Sequence, residues 1–171
     1  TLAPVPGAIS AVGGIPVLIE TTKDLTIDFD HLIKIIKTSK AKFMLISHMR
    51  GHLSDMESLM KILSKHKICL IEDCAHTMGA SWKNKKSGNF GSIACFSTQT
   101  YKHINSGEGG FITTNDKKLI ASAILLSGSY MLYNKHLSAP QESEFKKLKF
   151  LMPNCSSRMD NLRASILRPQ L

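Results

Sequence analysis

The sequence predicts an α/β fold built on a mostly parallel sheet. Two observations carry that expectation: short apolar runs that do not alternate with polar residues, and amphipathic helical patterns lying between them. Five runs read as strands, at residues 17–19, 43–46, 68–71, 93–96 and 111–113. Several are apolar throughout, the pattern of strands buried on both faces of a parallel sheet. Strand–helix–strand alternation with connections of this length is the signature of the class.

Each helix has its own warrant. Over residues 28–37, Phe29, Leu32, Ile33 and Ile36 recur at helical spacing, and over 55–65 Met56, Leu59, Met60 and Leu63 do the same. Ser54 and Glu57 have the S-x-x-E spacing of a capping box ahead of the second helix. A third helix is expected at 117–127 and a fourth from Arg158 to near the C-terminus. The first residues also read as a helix-like run. Residues 128–153 look irregular, apart from "QESEFKKLKF", which reads as a short helix. No internal repeat occurs. Neither end carries the strand or cap that would finish it, so the chain reads as a piece of a larger enzyme.

Composition removes several functional classes. The 43% hydrophobic and 20% charged content is that of a globular protein, and no apolar run approaches membrane-spanning length. The N-terminus lacks the basic flank of a secretory signal. Cys69, Cys74, Cys95 and Cys155 show no CxxC spacing, and three of them fall in apolar strand-like contexts. A reduced, cytoplasmic setting follows. His48 and His52 stand at i, i+4 without the HExxH glutamate, so no metal site is expected. The formal charge of +9 comes from scattered lysines with only 6% aromatics among them. That pattern points away from nucleic acid and is compatible with an anionic small substrate.

Two stretches could carry chemistry. In "LIEDCAH", residues 70–76, Glu72 and Asp73 stand at the carboxyl end of an expected strand, where open parallel sheets place their ligands. An acid there also commonly caps the following turn. In "STQTYKHINSGEGG", residues 97–110, Ser97 ends another strand, Lys102 follows in a loop, and Gly107, Gly109 and Gly110 permit tight backbone passage. A serine hydroxyl with nearby backbone N–H groups can hold a phosphate. A partly desolvated lysine near an aldehyde can form an imine. Singly, each feature is ordinary. Together, Lys102, Asp73 and Ser97 match the needs of pyridoxal 5'-phosphate: an amine, a carboxylate for the ring nitrogen and a phosphate cradle.

The segments "GGIPVLIE", "SHMRGHLSDME", "LIEDCAHTMGA", "SGNFGSIACFSTQTYKHINSGEGGFITTND" and "SSRMDNLRASILRPQL" strongly resemble the DegT/DnrJ/EryC1/StrS family. These are PLP-dependent sugar aminotransferases of fold type I. The resemblance runs in register over almost the whole chain. It implies a three-layer α/β/α architecture with a mostly parallel sheet, of which residues 1–171 would be the central part of the cofactor-binding large domain. An N-terminal phosphate-binding segment and a C-terminal small domain would lie outside it.

The resemblance also implies roles. Lys102 matches the lysine that forms the Schiff base and later shuttles a proton, Asp73 the carboxylate that keeps the pyridine nitrogen protonated, and Ser97 the phosphate serine. His76 matches the residue beside the ring and its phenolic oxygen, and the segment 48–51 a loop at the active-site edge. The implied reaction moves an amino group from glutamate or glutamine to a keto-sugar, usually nucleotide-linked. Such enzymes are typically homodimers, and the partner supplies an asparagine to the phosphate site. Here that position is Ser156, with Asn154 two residues earlier, and the aromatic usual after the phosphate serine is Thr98. These departures keep open an inactive, truncated paralogue or partner subunit. Relatives that deoxygenate sugars by dehydration carry histidine in place of the lysine; Lys102 argues against that reaction, although His103 is adjacent.

Overall fold

The computed structural model describes residues 3–129 and 131–171. In chain order the elements are α1 (Pro4–Ala11), α2 (Phe29–Thr38), β1 (Phe43–Ser47), α3 (Met56–Lys65), β2 (Cys69–Asp73), β3 (Ser81–Trp82), β4 (Lys85–Lys86), β5 (Ile93–Ser97), β6 (Gly110–Thr113), α4 (Lys117–Ser127) and α5 (Asn161–Leu167). The main sheet has the order β1-β2-β5-β6, and β3 pairs with β4 in a small separate ribbon. β1, β2 and β5 run parallel, while β6 returns antiparallel to β5. The sheet is thus mixed but mostly parallel. No helix among the described residues is long and apolar enough to cross a membrane.

Strand period decides what each face meets. Met44, Ile46, Leu70 and Ala94 point to one side and are buried. There they pack with Leu32 of α2 and with Met56, Leu59 and Leu63 of α3, the stripe that the helical spacing marks out. Leu45, Ile71 and Cys95 point to the other side, toward Pro4, Val5 and Ala8 of α1 across a 310 Å³ cavity. Helices therefore lie on both faces, but only the α2–α3 side is sealed. The sequence expectation of strands buried on both faces holds for one face; Cys95 and Ile112 remain exposed on the other. A second core forms where α4 receives Phe145, whose ring packs 4.5 Å from that of Tyr133.

Four local expectations need correction. Residues 17–19 form no strand, because nothing pairs with them: Val17 and Leu18 are exposed, and an isolated bridge joins Thr21 to Ile27 instead. The cap of α3 is Asp55, whose carboxylate accepts from the N–H groups of Glu57 and Ser58. Ser54 is buried and accepts from Ile27 N–H at 3.2 Å, while Glu57 pairs with Lys83, so the S-x-x-E box does not form. The segment "QESEFKKLKF" makes two single 3-10 turns on either side of Phe145 rather than one helix. Burying Phe145 against α4 takes precedence over helical continuity. The last helix begins at Asn161 behind an Asp160 cap, three residues later than the sequence reading places it.

The core assignment has a direct check. Leu63→Ala should lower unfolding stability by about 2–5 kcal/mol, the range for an unrelaxed core cavity, whereas the exposed Ile112→Ala should change it by less than about 1 kcal/mol. Urea denaturation of the two variants measures both.

Candidate active site

Two adjacent acids in β2 receive opposite environments because the strand period sends them to opposite faces. Glu72 turns into the sealed side and is wholly buried. Its carboxylate accepts from the backbone N–H groups of Gly88 (2.9 Å), Phe90 (2.8 Å) and Gly91 (2.6 Å), and lies 3.2 Å from His48 Nε2. Burial pushes this carboxyl up, but the His48 contact and the three amides together hold it below its ordinary value. Asp73 turns to the open face. Its Oδ2 accepts from the Ser47 hydroxyl at 2.9 Å and its Oδ1 from Ala75 N–H at 3.1 Å. The second bond is the turn cap that a carboxylate at this position commonly makes. It leaves further acceptor capacity on both oxygens.

Glu72 also organises what surrounds Asp73. Its amide partners belong to the connection that enters β5, the strand that ends at Ser97. Its imidazole partner starts the loop after β1, and His48 N–H donates to the Asp73 carbonyl at 3.1 Å. An imidazole nitrogen of His48, a Glu72 oxygen and Cys74 Sγ lie within 4.8 Å of one another. The group is a hydrogen-bonded hub: both Glu72 oxygens are engaged, and burial, with the nearby Glu72 and Asp73 charges adding, pushes the Cys74 thiol up to about 12. All four cysteines are free thiols.

Lys102 sits in the loop that joins β5 to β6. The base of that loop is pinned by Thr98 N–H to the Gly109 carbonyl (2.9 Å) and by Ser106 N–H to the Thr98 carbonyl (2.9 Å). The buried Thr98 and Ser106 hydroxyls lie 3.0 Å apart. Here the "GEGG" motif acquires its reason. Gly109 has φ 135, and a Cβ there would lie 2.9 Å from Thr98 Oγ1; a Cβ on Gly110 would collide with the Phe96 carbonyl oxygen. At the outer end, Asn105 N–H donates to Gln170 Oε1 (3.1 Å), and Gln170 Nε2 donates to the Asn105 carbonyl (2.8 Å). The Lys102 backbone N–H donates to the Gln99 carbonyl at 2.8 Å. Its half-buried side chain has no ion-pair or hydrogen-bond partner among the described residues. Ser97 Oγ accepts from Gln99 N–H at 3.3 Å, which leaves the hydroxyl proton to donate elsewhere.

His76 ties these parts together. Its Nδ1 accepts from Arg50 N–H at 3.3 Å. Burial first, and then the Lys102 charge, hold the imidazole below its ordinary value; Asp73 opposes that, and Arg50 and His103 add to it. The side chains of Lys102, Asp73, Arg50 and His103 are thus all within electrostatic reach of His76. Ser156 and Asn154 flank Cys155, whose N–H donates to the Leu126 carbonyl at the C-terminal end of α4. Ser156 has φ 51 and donates both its N–H (2.8 Å) and its hydroxyl (3.3 Å) to Asn154 Oδ1. Both are exposed.

The sequence places His48 in a loop at the site's edge and marks Thr98 as a departure, but not the Glu72 contact of the first or the Ser106 contact of the second, and it does not point to Ser106 or Gln170 at all. The SHM…G segment was the signal for His48. Thr98 and Ser106 meet within their own loop, and Gln170 reaches Asn105 from far along the chain; no motif spacing announces either contact.

Residues 2–171 match the DegT/DnrJ/EryC1/StrS aminotransferase family. The chain is 33% identical over 165 residues to the GDP-perosamine synthase of Caulobacter vibrioides, covering 96% of this chain and 41% of that protein. It is 37% identical over 166 residues to the dTDP-3-amino-3,6-dideoxy-alpha-D-galactopyranose transaminase of Aneurinibacillus thermoaerophilus, covering 96% and 42%. It thus spans about two fifths of the length of these relatives. The fold matches that of Helicobacter pylori PseC, an aminotransferase involved in the biosynthesis of pseudoaminic acid. That match has a TM-score of 0.84 at 24% identity, over 99% of this chain and 43% of that one.

The Glu72 hub predicts a pH signature. Glu72→Gln turns an amide NH2 toward backbone donors and should cost about 2–4 kcal/mol at pH 7. Because the folded carboxyl is held below 4.5, its contribution is complete above that value and is lost as pH falls through the folded pKa. The stability gap between the parent and Glu72→Gln should therefore close as the pH is lowered. Urea titrations at successive pH values measure it, and two parallel curves would contradict the assignment.

Proposed function

Because the chain belongs to the DegT/DnrJ/EryC1/StrS aminotransferase family, we propose that it carries pyridoxal 5'-phosphate on Lys102 and moves an amino group from glutamate or glutamine to a nucleotide-linked keto-sugar. The observation that carries this reading is the convergence of Lys102, Asp73 and His76. An amine without a counter-ion, a carboxylate fixed on both oxygens and an imidazole held low lie within electrostatic reach at one sheet edge. These residues fit the cofactor. When bound, it supplies an aldehyde for the lysine and a ring that draws electrons from the substrate carbon.

The chain's own groups divide the remaining work. Asp73, oriented by the Ser47 hydroxyl and Ala75 N–H, would face the ring nitrogen and hold a proton there. Ser97 would donate its free hydroxyl proton to a phosphate oxygen. Lys102 would hold the cofactor through its aldehyde, and its Nζ would serve as the base that moves a proton at the substrate carbon; the pinned loop base limits how far it can stray. His76, its imidazole held below its ordinary value by burial and by the Lys102 charge, would lie beside the ring. Names of relatives support a nucleotide-sugar substrate, in one case GDP-linked and in another dTDP-linked. A homodimer, with Asn154 or Ser156 reaching a partner's phosphate site, fits the exposure of that loop.

Lys102→Ala should abolish the visible absorption band of the cofactor-loaded protein and cut amino transfer at least a hundredfold or so, while Asp73→Asn should keep the band and lose a similar factor. Absorption spectra and amino-transfer assays read both. A band that survives in Lys102→Ala overturns the proposal.

A further inference from the structure

Arg50 occupies a strained and deliberately fixed position. It has φ 55 and ψ 23, in the left-handed region that a long side chain rarely adopts. Such a conformation costs on the order of 1–3 kcal/mol and persists only where its neighbours impose it. They do so here. Arg50 N–H is held by His76 Nδ1 at 3.3 Å, Gly51 N–H by the His48 carbonyl at 3.2 Å, and His52 N–H by the Met49 carbonyl at 3.0 Å. His48 is itself fastened to Glu72 and Asp73. The loop is therefore rigid relative to the sheet edge, and so is the point from which the guanidinium departs.

That side chain, with Met49, His76, Tyr101 and His103, lines a cleft of 480 Å³. The cleft is electrically one-sided. Arg50, Lys102 and His103 all bear on His76 with positive charge, and Asp73 alone opposes them. Among the described residues the ion pairs are His48–Glu72, Lys83–Glu57 and Arg163–Asp160, so no carboxylate neutralises Arg50. An arginine on a fixed backbone, beside a second cationic group, is suited to gripping a planar or tetrahedral oxyanion with two N–H donors.

We propose that this cleft is an oxyanion-binding subsite of the substrate, with Arg50 as its specificity-determining residue. The oxyanion is either the carboxylate of the amino donor or the diphosphate of a nucleotide. The inference rests on the transamination reading for its place in the reaction, but anion binding itself does not need the cofactor.

The test uses L-glutamate and GDP as separate probes. Each is titrated into the cofactor-free and cofactor-loaded protein while the His76 imidazole is followed by NMR. A bound oxyanion offsets the cationic neighbours, so the His76 pKa should rise on saturation with the true class of ligand. Arg50→Gln should weaken that ligand about tenfold or more, and Arg50→Lys should recover part of the loss. His103→Gln, which leaves the Arg50 loop untouched, should weaken it less. A response to glutamate alone assigns the donor carboxylate, and a response to GDP alone assigns the diphosphate. If neither probe moves His76, or if Arg50→Gln binds both as the parent does, the subsite is overturned. A missing visible band in the loaded parent would instead count against the proposed function, independently of either titration.

Discussion

One buried carboxylate sets the geometry on which the rest depends. Glu72 lies out of water and stays ionised because an imidazole and three backbone amides face it. Each partner belongs to a different part of the site. His48 begins the loop that ends in Arg50, the amides of residues 88–91 lead into β5, and Glu72 itself precedes Asp73. Leaving a charge buried without these bonds would cost several kcal/mol, so the three segments cannot drift apart while the protein is folded. The energetic constraint acts as a positional one.

Upon that frame the open edge of the sheet gathers groups of unlike character. Asp73 is anchored on both oxygens, Ser97 ends the neighbouring strand with its hydroxyl proton unspent, and Lys102 rises from a loop closed at its base by Thr98, Ser106 and Gly109. At Thr98, where the family resemblance would put an aromatic, the loop carries a buried hydroxyl paired with that of Ser106. It is further clipped from outside by Gln170. Positive charge then accumulates around His76, whose imidazole is held below its ordinary value. In the proposed reaction, an anionic substrate entering this edge would meet a field already arranged for it, with little left to reorganise.

Much of this could be read in the sequence because it depends on local order. Strand period separates Glu72 from Asp73, helical spacing marks the stripes of α2 and α3, and the lysine and its glycines lie within one short segment. The readings that failed depended on partners. Residues 17–19 have the composition of a strand and no edge to pair with. Ser54 has the spacing of a cap, but Ile27 N–H claims its hydroxyl and Lys83 claims Glu57. "QESEFKKLKF" has helical residues, yet Phe145 is pulled into a pocket on α4. The left-handed Arg50 and the Gln170 clip have no sequence signature, since each is imposed by a residue far along the chain.

The central claim is that Lys102, alone among the lysines, bonds to the cofactor. Reductive trapping with borohydride, followed by proteolysis and mass spectrometry of the loaded protein, tests it most directly. The account predicts a pyridoxyl group on the peptide containing Lys102 and on no other. A label on a different lysine, or trapping that leaves the Lys102 peptide unmodified, would contradict it.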